Sequence, residues 1–237
     1  MSYKRRIAIR RVVILTAIFA TLGVGVSVAI IAAGGGFESP GPNIFHPPTQ
    51  ADIWRVGDHI RDGMTLQYRL TSRGELGSLE SALVSIRFDK AGENWNVRFT
   101  IANGSGQQPV DRTLMMSKEL TRQGQLDESF RPYFENIQSS IFAVRDMEYG
   151  DSPKYLVLGA PWDTIFVGSS SVTVRVTSKE RVDTQVGSFD SFVLSYKLAE
   201  RTSKIWVVRD MPLPVKAEVY DAQDKLLYRY ELTSMSG

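Results

Sequence analysis

Apolar residues return at every second position over most of the chain beyond Met64, and no other feature restricts its fold as strongly. Met64, Leu66, Tyr68 and Leu70 alternate with Thr65, Gln67 and Arg69, and the pattern recurs in Ala82, Val84, Ile86, Phe88 and in Trp95, Val97, Phe99, Ile101. A period of two places one residue set on a single face of a strand, which predicts half-buried antiparallel strands. The segments 172–176, 192–198, 204–208, 215–220 and 226–232 continue the series, so at least eight strands are expected. Asp89 to Asn94 reads as a hairpin connection between the second and third. Leu66–Leu70, Leu194–Leu198 and Tyr228–Leu232 share similar wording, but strand packing selects such alternation without any duplication.

One region changes period. Phe130, Phe134, Ile137, Ile141 and Val144 fall on one face of a helix, with Asp127 or Ser129 as cap and Pro132 in the first turn. Residues 146–164 are interrupted by Pro153, Gly159 and Pro161, and read as a loop with a short strand at 155–158. The expected fold is mainly β: a curved antiparallel sheet, or half-barrel, with a covering helix.

Ahead of this domain lie 22 uncharged residues, Val12 to Ala33. As a helix they span roughly 33 Å, enough for a bilayer core. Lys4, Arg5, Arg6, Arg10 and Arg11 precede the run and Glu38 is the first acid after it, so the positive-inside bias places the N-terminus in the cytoplasm. The chain then divides into a basic tail (1–11), one transmembrane helix (12–33), a Gly/Pro linker (34–50) and an extracytoplasmic β-rich domain (51–237). The small residues at Ala32, Ala33 and Gly34 also suit a cleaved signal peptide, although the run exceeds the usual h-region of about 7 to 15 residues. Ala17, Thr21, Gly25, Ala29 and Ala33 recur at i+4, a small-residue ridge suited to a partner transmembrane helix or a chance outcome in a run rich in small residues.

The formal charge of +2 is a sum of unlike parts. Residues 1–37 carry five cations and no acid, which leaves 23 basic against 26 acidic side chains in the rest. The outer portion therefore has no basic surplus for nucleic acid.

The chain has no cysteine and two histidines, so thiol chemistry, disulfides and Cys-based metal sites are excluded. His46 lies in the linker, and His59 stands in Val56-Gly57-Asp58-His59-Ile60, where an extended backbone would turn Asp58 away from the imidazole. No nucleophile elbow, phosphate loop, dinucleotide fingerprint or zincin motif is present. Gly168-Ser169-Ser170-Ser171 precedes a strand rather than a helix, and reads as a plain loop. Asp146 with Glu148 and Asp221 with Asp224 lack ligand spacing and read as solvated turns. Neither an enzyme nor a cofactor or metal site is expected. Asn103-Gly104-Ser105 fits both an N-glycosylation acceptor at Asn103 and a simple Asn-Gly turn.

The C-terminal third runs Val186-Gly187-Ser188-Phe189, then Ser203-Lys204-Ile205-Trp206-Val207, Met211-Pro212-Leu213-Pro214-Val215 and Leu227-Tyr228-Arg229-Tyr230. Gly187 permits a turn with positive φ, and prolines around Leu213 suit a strand start or an edge. This order of pieces resembles extracytoplasmic half-barrel proteins of the lipoprotein-carrier type (LolA, LolB and LppX-like folds), over about 50 residues. The chain also resembles uncharacterised single-pass membrane proteins of archaea. The carrier resemblance implies an apolar cavity for acyl chains under the helix, with Trp95, Phe99, Trp206 and Tyr228 as wall residues; the same four equally suit a filled core. Two readings follow: an anchored, non-catalytic domain that binds an apolar or lipidic ligand, or an accessory or structural subunit of a cell-envelope membrane complex. A hydrolase built on His59 is a third.

Overall fold

Ten antiparallel strands form one sheet in a computed structural model of the chain, which describes residues 47–73, 78–103, 108–147, 154–167 and 170–237. The expected basic tail, the apolar run with its ridge at Ala17, Thr21, Gly25 and Ala29, and His46 lie outside the described residues. Among the described residues no helix is long and apolar enough to cross a membrane.

The strands are β1 (Thr65–Arg73), β2 (Leu79–Ala91), β3 (Asn94–Asn103), β4 (Val110–Met116), β5 (Pro161–Val167), β6 (Ser170–Thr184), β7 (Gly187–Lys197), β8 (Thr202–Val207), β9 (Lys216–Tyr220) and β10 (Leu226–Ser236). Their order across the sheet is β4-β3-β2-β1-β10-β9-β8-β7-β6-β5. Only the central β1–β10 pairing joins strands distant in sequence; the other neighbours are consecutive, as antiparallel meanders require. Gly92 and Glu93 alone separate β2 from β3, with Gly92 at φ 66°, so that turn is tighter than the spacing predicts.

Two strands depart from the sequence reading. β4 carries Asp111, Arg112 and Thr113 in succession and shows no clean alternation. β5 begins on Pro161, where prolines suggest a loop, because a first-residue proline on an outermost strand costs no ladder hydrogen bond. The strand expected at 155–158 reduces to a single bridge between Tyr155 and Ile53.

The covering helix is present but broken. Helix α1 (Arg131–Ser139) ends where Ser140 leaves helical geometry, and a four-residue α2 (Ala143–Asp146) follows. Ser140 Oγ donates to the Asn136 carbonyl at 2.5 Å and the Phe142 amide to the Ile137 carbonyl at 3.0 Å. The break lets Ile141 and Phe142 both turn inward. Phe130, not Asp127 or Ser129, occupies the N-cap; the Asp127 carboxylate instead accepts from the Ser129 amide and hydroxyl at 2.8 and 2.9 Å.

The register separates two faces. On the inner face lie Leu66, Tyr68 and Leu70, then Val84, Ile86 and Phe88, then Val97, Phe99 and Ile101, with Tyr228, Tyr230 and Leu232 of β10 continuing the layer. Helix α1 lies over it, with Phe134 against Phe99 and Asn136 Nδ2 donating to Ser72 Oγ at 2.9 Å. Trp54 closes the other end, its ring 5.7 Å from that of Trp162 and tilted by 33° to it, and its indole donates to the Met211 carbonyl at 3.0 Å. Close approach requires glycine at 57, since a Cβ there would stand 2.3 Å from the Lys118 carbonyl oxygen.

The sheet is curved and open. Cα atoms of β6 and β10 approach within 8 Å, whereas four strand spacings in a flat sheet amount to roughly 19 Å. The distal half of the β6–β7 ribbon turns back over the outer face. There Glu180 meets Trp206 Nε1 at 3.3 Å and Lys204 Nζ at 3.6 Å, and the Gln185 amide, turned to present its oxygen, accepts from both terminal nitrogens of Arg69 at 3.2 Å.

Candidate binding surfaces

The four wall residues do not converge. Trp95, Phe99 and Tyr228 share the inner face, but Trp206 pairs with Lys216, not with the inner Ala217, and points to the outer face. There its ring lies 5.9 Å from Lys204 Nζ and 5.6 Å from Lys216 Nζ. The signal for this was available: Lys204 and Lys216 share its side of the alternation, but a buried tryptophan reads as inner until register is known.

Phe99 is wholly buried among Phe130, Phe134 and Phe142, at centroid distances of 6.1, 5.8 and 6.1 Å. Tyr228 stacks on Tyr230 at 6.1 Å, and Tyr230 meets the edge of Tyr68 at 5.6 Å. Burial pushes all three phenols upward in pKa and keeps them neutral. The Tyr68 hydroxyl is buried without a hydrogen-bond partner.

Trp95 stands half-buried at the start of β3, edge-on to Phe88 at 6.4 Å. It lines an open cleft of about 610 Å³ together with Lys90, Glu93, Asn94, Lys118 and Glu119. A second cleft, about 340 Å³ on the outer face, is lined by Arg69, Lys216, Arg229, Glu218 and Glu231. In the register Arg69 opposes Glu231, Glu231 opposes Lys216 and Arg229 opposes Glu218, so opposite charges neighbour one another across the strands. Such a checkerboard is a solvated face with little net pull on an ion.

No catalytic grouping forms among the described residues. His59 sits in a turn at φ 69° and is exposed, and no cluster of three His, Asp or Glu is placed to hold a metal. Asp221 and Asp224 close loops instead: Asp221 accepts from the Gln223 and Lys225 amides, both at 2.9 Å, and Asp224 from the Arg201 amide at 2.7 Å. Asn103 is the last residue of β3, half-buried opposite Ala82.

The residues missed by sequence reasoning lie on β5, where Phe166 is 71% exposed, the most exposed large apolar side chain among the described residues. The run Ile165-Phe166-Val167 was the available signal, hidden by the preceding prolines and glycine.

No family model matches the chain, and no curated protein is detectably similar to it. Among solved structures it is similar to a Bacteroides fragilis protein with a YmcC-like fold, at 12% identity and a TM-score of 0.38, over 78% of this chain and 99% of that one. It is similar also to MucB, at 16% identity and a TM-score of 0.39, over 77% of this chain and 56% of MucB, and to the MucA/MucB complex of Pseudomonas aeruginosa, at 17% and 0.37, over 77% of this chain and 54% of that one. The chain thus spans little more than half of the MucB length it is compared with. None of these matches supports the resemblance to archaeal single-pass proteins.

Proposed function

We propose that the chain is a membrane-anchored, extracytoplasmic accessory domain that acts by binding, without catalysis, and that it docks a protein partner rather than carrying an acyl chain. One observation carries the choice between these two: the inner face at Phe99, where the carrier resemblance implies a cavity, is packed by the chain's own Phe130, Phe134 and Phe142. A lipid tail would have to displace about three aromatic side chains, each contributing roughly 1.5–3 kcal/mol by burial. The two open clefts, one at Trp95 and one on the outer face, are lined mainly by charged and polar groups, which suit a peptide surface. The anchor rests on the uncharged run 12–33 and the five cations before it.

Native mass spectrometry on the full-length protein, extracted in mild detergent, tests this. The expected spectrum shows the 26.5 kDa chain free of lipid and a second, different polypeptide held in fixed ratio. A lipid bound at constant stoichiometry would overturn the proposal in favour of a lipid-binding role for Trp95, Phe99, Trp206 and Tyr228.

A further inference from the structure

β5 ends the sheet, and its backbone shows how its free side is arranged. The Thr164 amide donates to the Asp163 carboxylate at 2.7 Å, and the Trp162 carbonyl accepts from Lys154 Nζ. Those groups therefore point away from β6, and by alternation so do the Thr164 carbonyl and the amide and carbonyl of Phe166. Lys154 and Asp163 place charge at the start of this edge; beyond Asp163 the strand carries no further charged side chain, no proline and no bulge, and among the described residues no other segment pairs with it. Phe166 stands exposed on one side of it and Ile165 half-buried on the other.

We propose that this edge pairs with the same edge of a second copy of the chain, β5 against β5, antiparallel about Ile165. Such a register makes Thr164 and Phe166 of opposite chains a hydrogen-bonded pair, twice over. The outward Phe166 amide meets the outward Thr164 carbonyl, and the Thr164 amide leaves Asp163 for the Phe166 carbonyl. Each phenyl ring then lies beside the small, exposed Thr164 of the other chain. Charge selects this orientation: Asp163 is the only ionisable residue on the strand, and the antiparallel pairing holds the two carboxylates about 13 Å apart, beyond the Debye length of about 8 Å at physiological ionic strength. A parallel pairing would set them side by side. So short a contact falls below the roughly 1,200 Å² of a stable interface, so the pair is weak and reversible.

The absence of cysteine makes a clean test. Ile165 meets its own copy as a non-hydrogen-bonded pair with Cα atoms about 4.5 Å apart, within disulfide range, whereas Thr164 meets Thr164 only diagonally, at about 8 Å. Full-length Ile165→Cys, mildly oxidised in its membrane, is expected to give a covalent dimer. Thr164→Cys, and Arg112→Cys on the far edge, are expected to give at least tenfold less, and adding Phe166→Lys to Ile165→Cys should lower the yield tenfold. With the unsubstituted protein, exchange at the Phe166 amide should slow as concentration rises. Equal crosslinking at positions 112, 164 and 165, crosslinking indifferent to Phe166→Lys, or Phe166 exchange independent of concentration would each overturn the pairing. So would crosslinking of Ile165→Cys to a different polypeptide only.

Discussion

The two ends of the sheet meet water in opposite ways. At the β4 end the chain doubles back on its own edge: the Gln123 amide donates to the Met115 carbonyl at 2.8 Å, Arg122 forms a bridge with Met116, and Arg112 reaches Asp127 at 3.5 Å. Helix α1 then roofs the neighbouring strands through Phe99. At the β5 end the first residues are held, by Trp162 against Trp54 and by its indole donating to the Tyr155 carbonyl at 2.9 Å, and among the described residues no other segment pairs with the strand beyond them. One edge is closed by sequence-local chain and charge, the other is left available. That difference is a reason to look for function at the β5 end and for stability at the β4 end.

The largest expected effect follows from that division. Phe134 is 2% exposed and in ring contact with Phe99 and Phe130, so Phe134→Ala should cost about 3–5 kcal/mol, read as a lowered denaturant midpoint. Phe166→Ala should cost less than about 0.5 kcal/mol. Equal losses at the two positions would break the comparison.

A smaller, pH-dependent effect belongs to the buttress of β5. The Asp52 carboxylate accepts from the Thr49 hydroxyl at 2.8 Å, the Thr49 amide at 3.0 Å and Arg209 at 3.2 Å, while its own carbonyl accepts the Leu156 amide beside the Tyr155 bridge. The Thr49 hydrogen bonds, helped by Arg209 and opposed by burial, lower its pKa from 3.8 to about 2. Because the folded value lies below the unfolded one, the stabilisation is complete above about pH 4 and disappears as pH falls toward 2. Thermal melts across that window should show wild type losing stability that Asp52→Asn has already lost at neutral pH. Parallel curves for the two proteins would refute this.

Much of the sheet was legible because inner strands obey a single rule. In β1, β2 and β3 one face meets the core and the other meets water, so Leu66, Val84 and Phe99 announce their side by alternation alone. The outermost strands escape that rule. β4 is charged because its face is largely wet, and β5 begins on a proline that only an outermost strand tolerates. Trp206 was misplaced for a related reason: the β6–β7 ribbon folds back over the outer face and Glu180 reaches Trp206 of β8, so Ile205, Trp206 and Val207 are buried in succession and burial alone no longer tells one face from the other. The helix was visible in its apolar spacing, but its break at Ser140 depends on a side chain competing for a helical carbonyl.

The finest test sets the two edges against each other with one substitution each. Arg112→Ala removes an exposed ion pair with Asp127, which water and salt screen, so stability should hardly change. It should leave the β4 edge closed, because the Gln123 amide still occupies the Met115 carbonyl. Phe166→Thr exchanges a ring that is 71% exposed for a β-branched residue of good strand propensity, so stability should change by less than about 0.5 kcal/mol. Its effect should appear in self-association instead, as a loss of the concentration-dependent shift in sedimentation at high protein concentration. Arg112→Ala should leave that shift intact. If the Arg112 variant associates more strongly while the Phe166 variant is unchanged, β4 is the sticky edge, and charge at Arg112 rather than the returning chain is what keeps it closed.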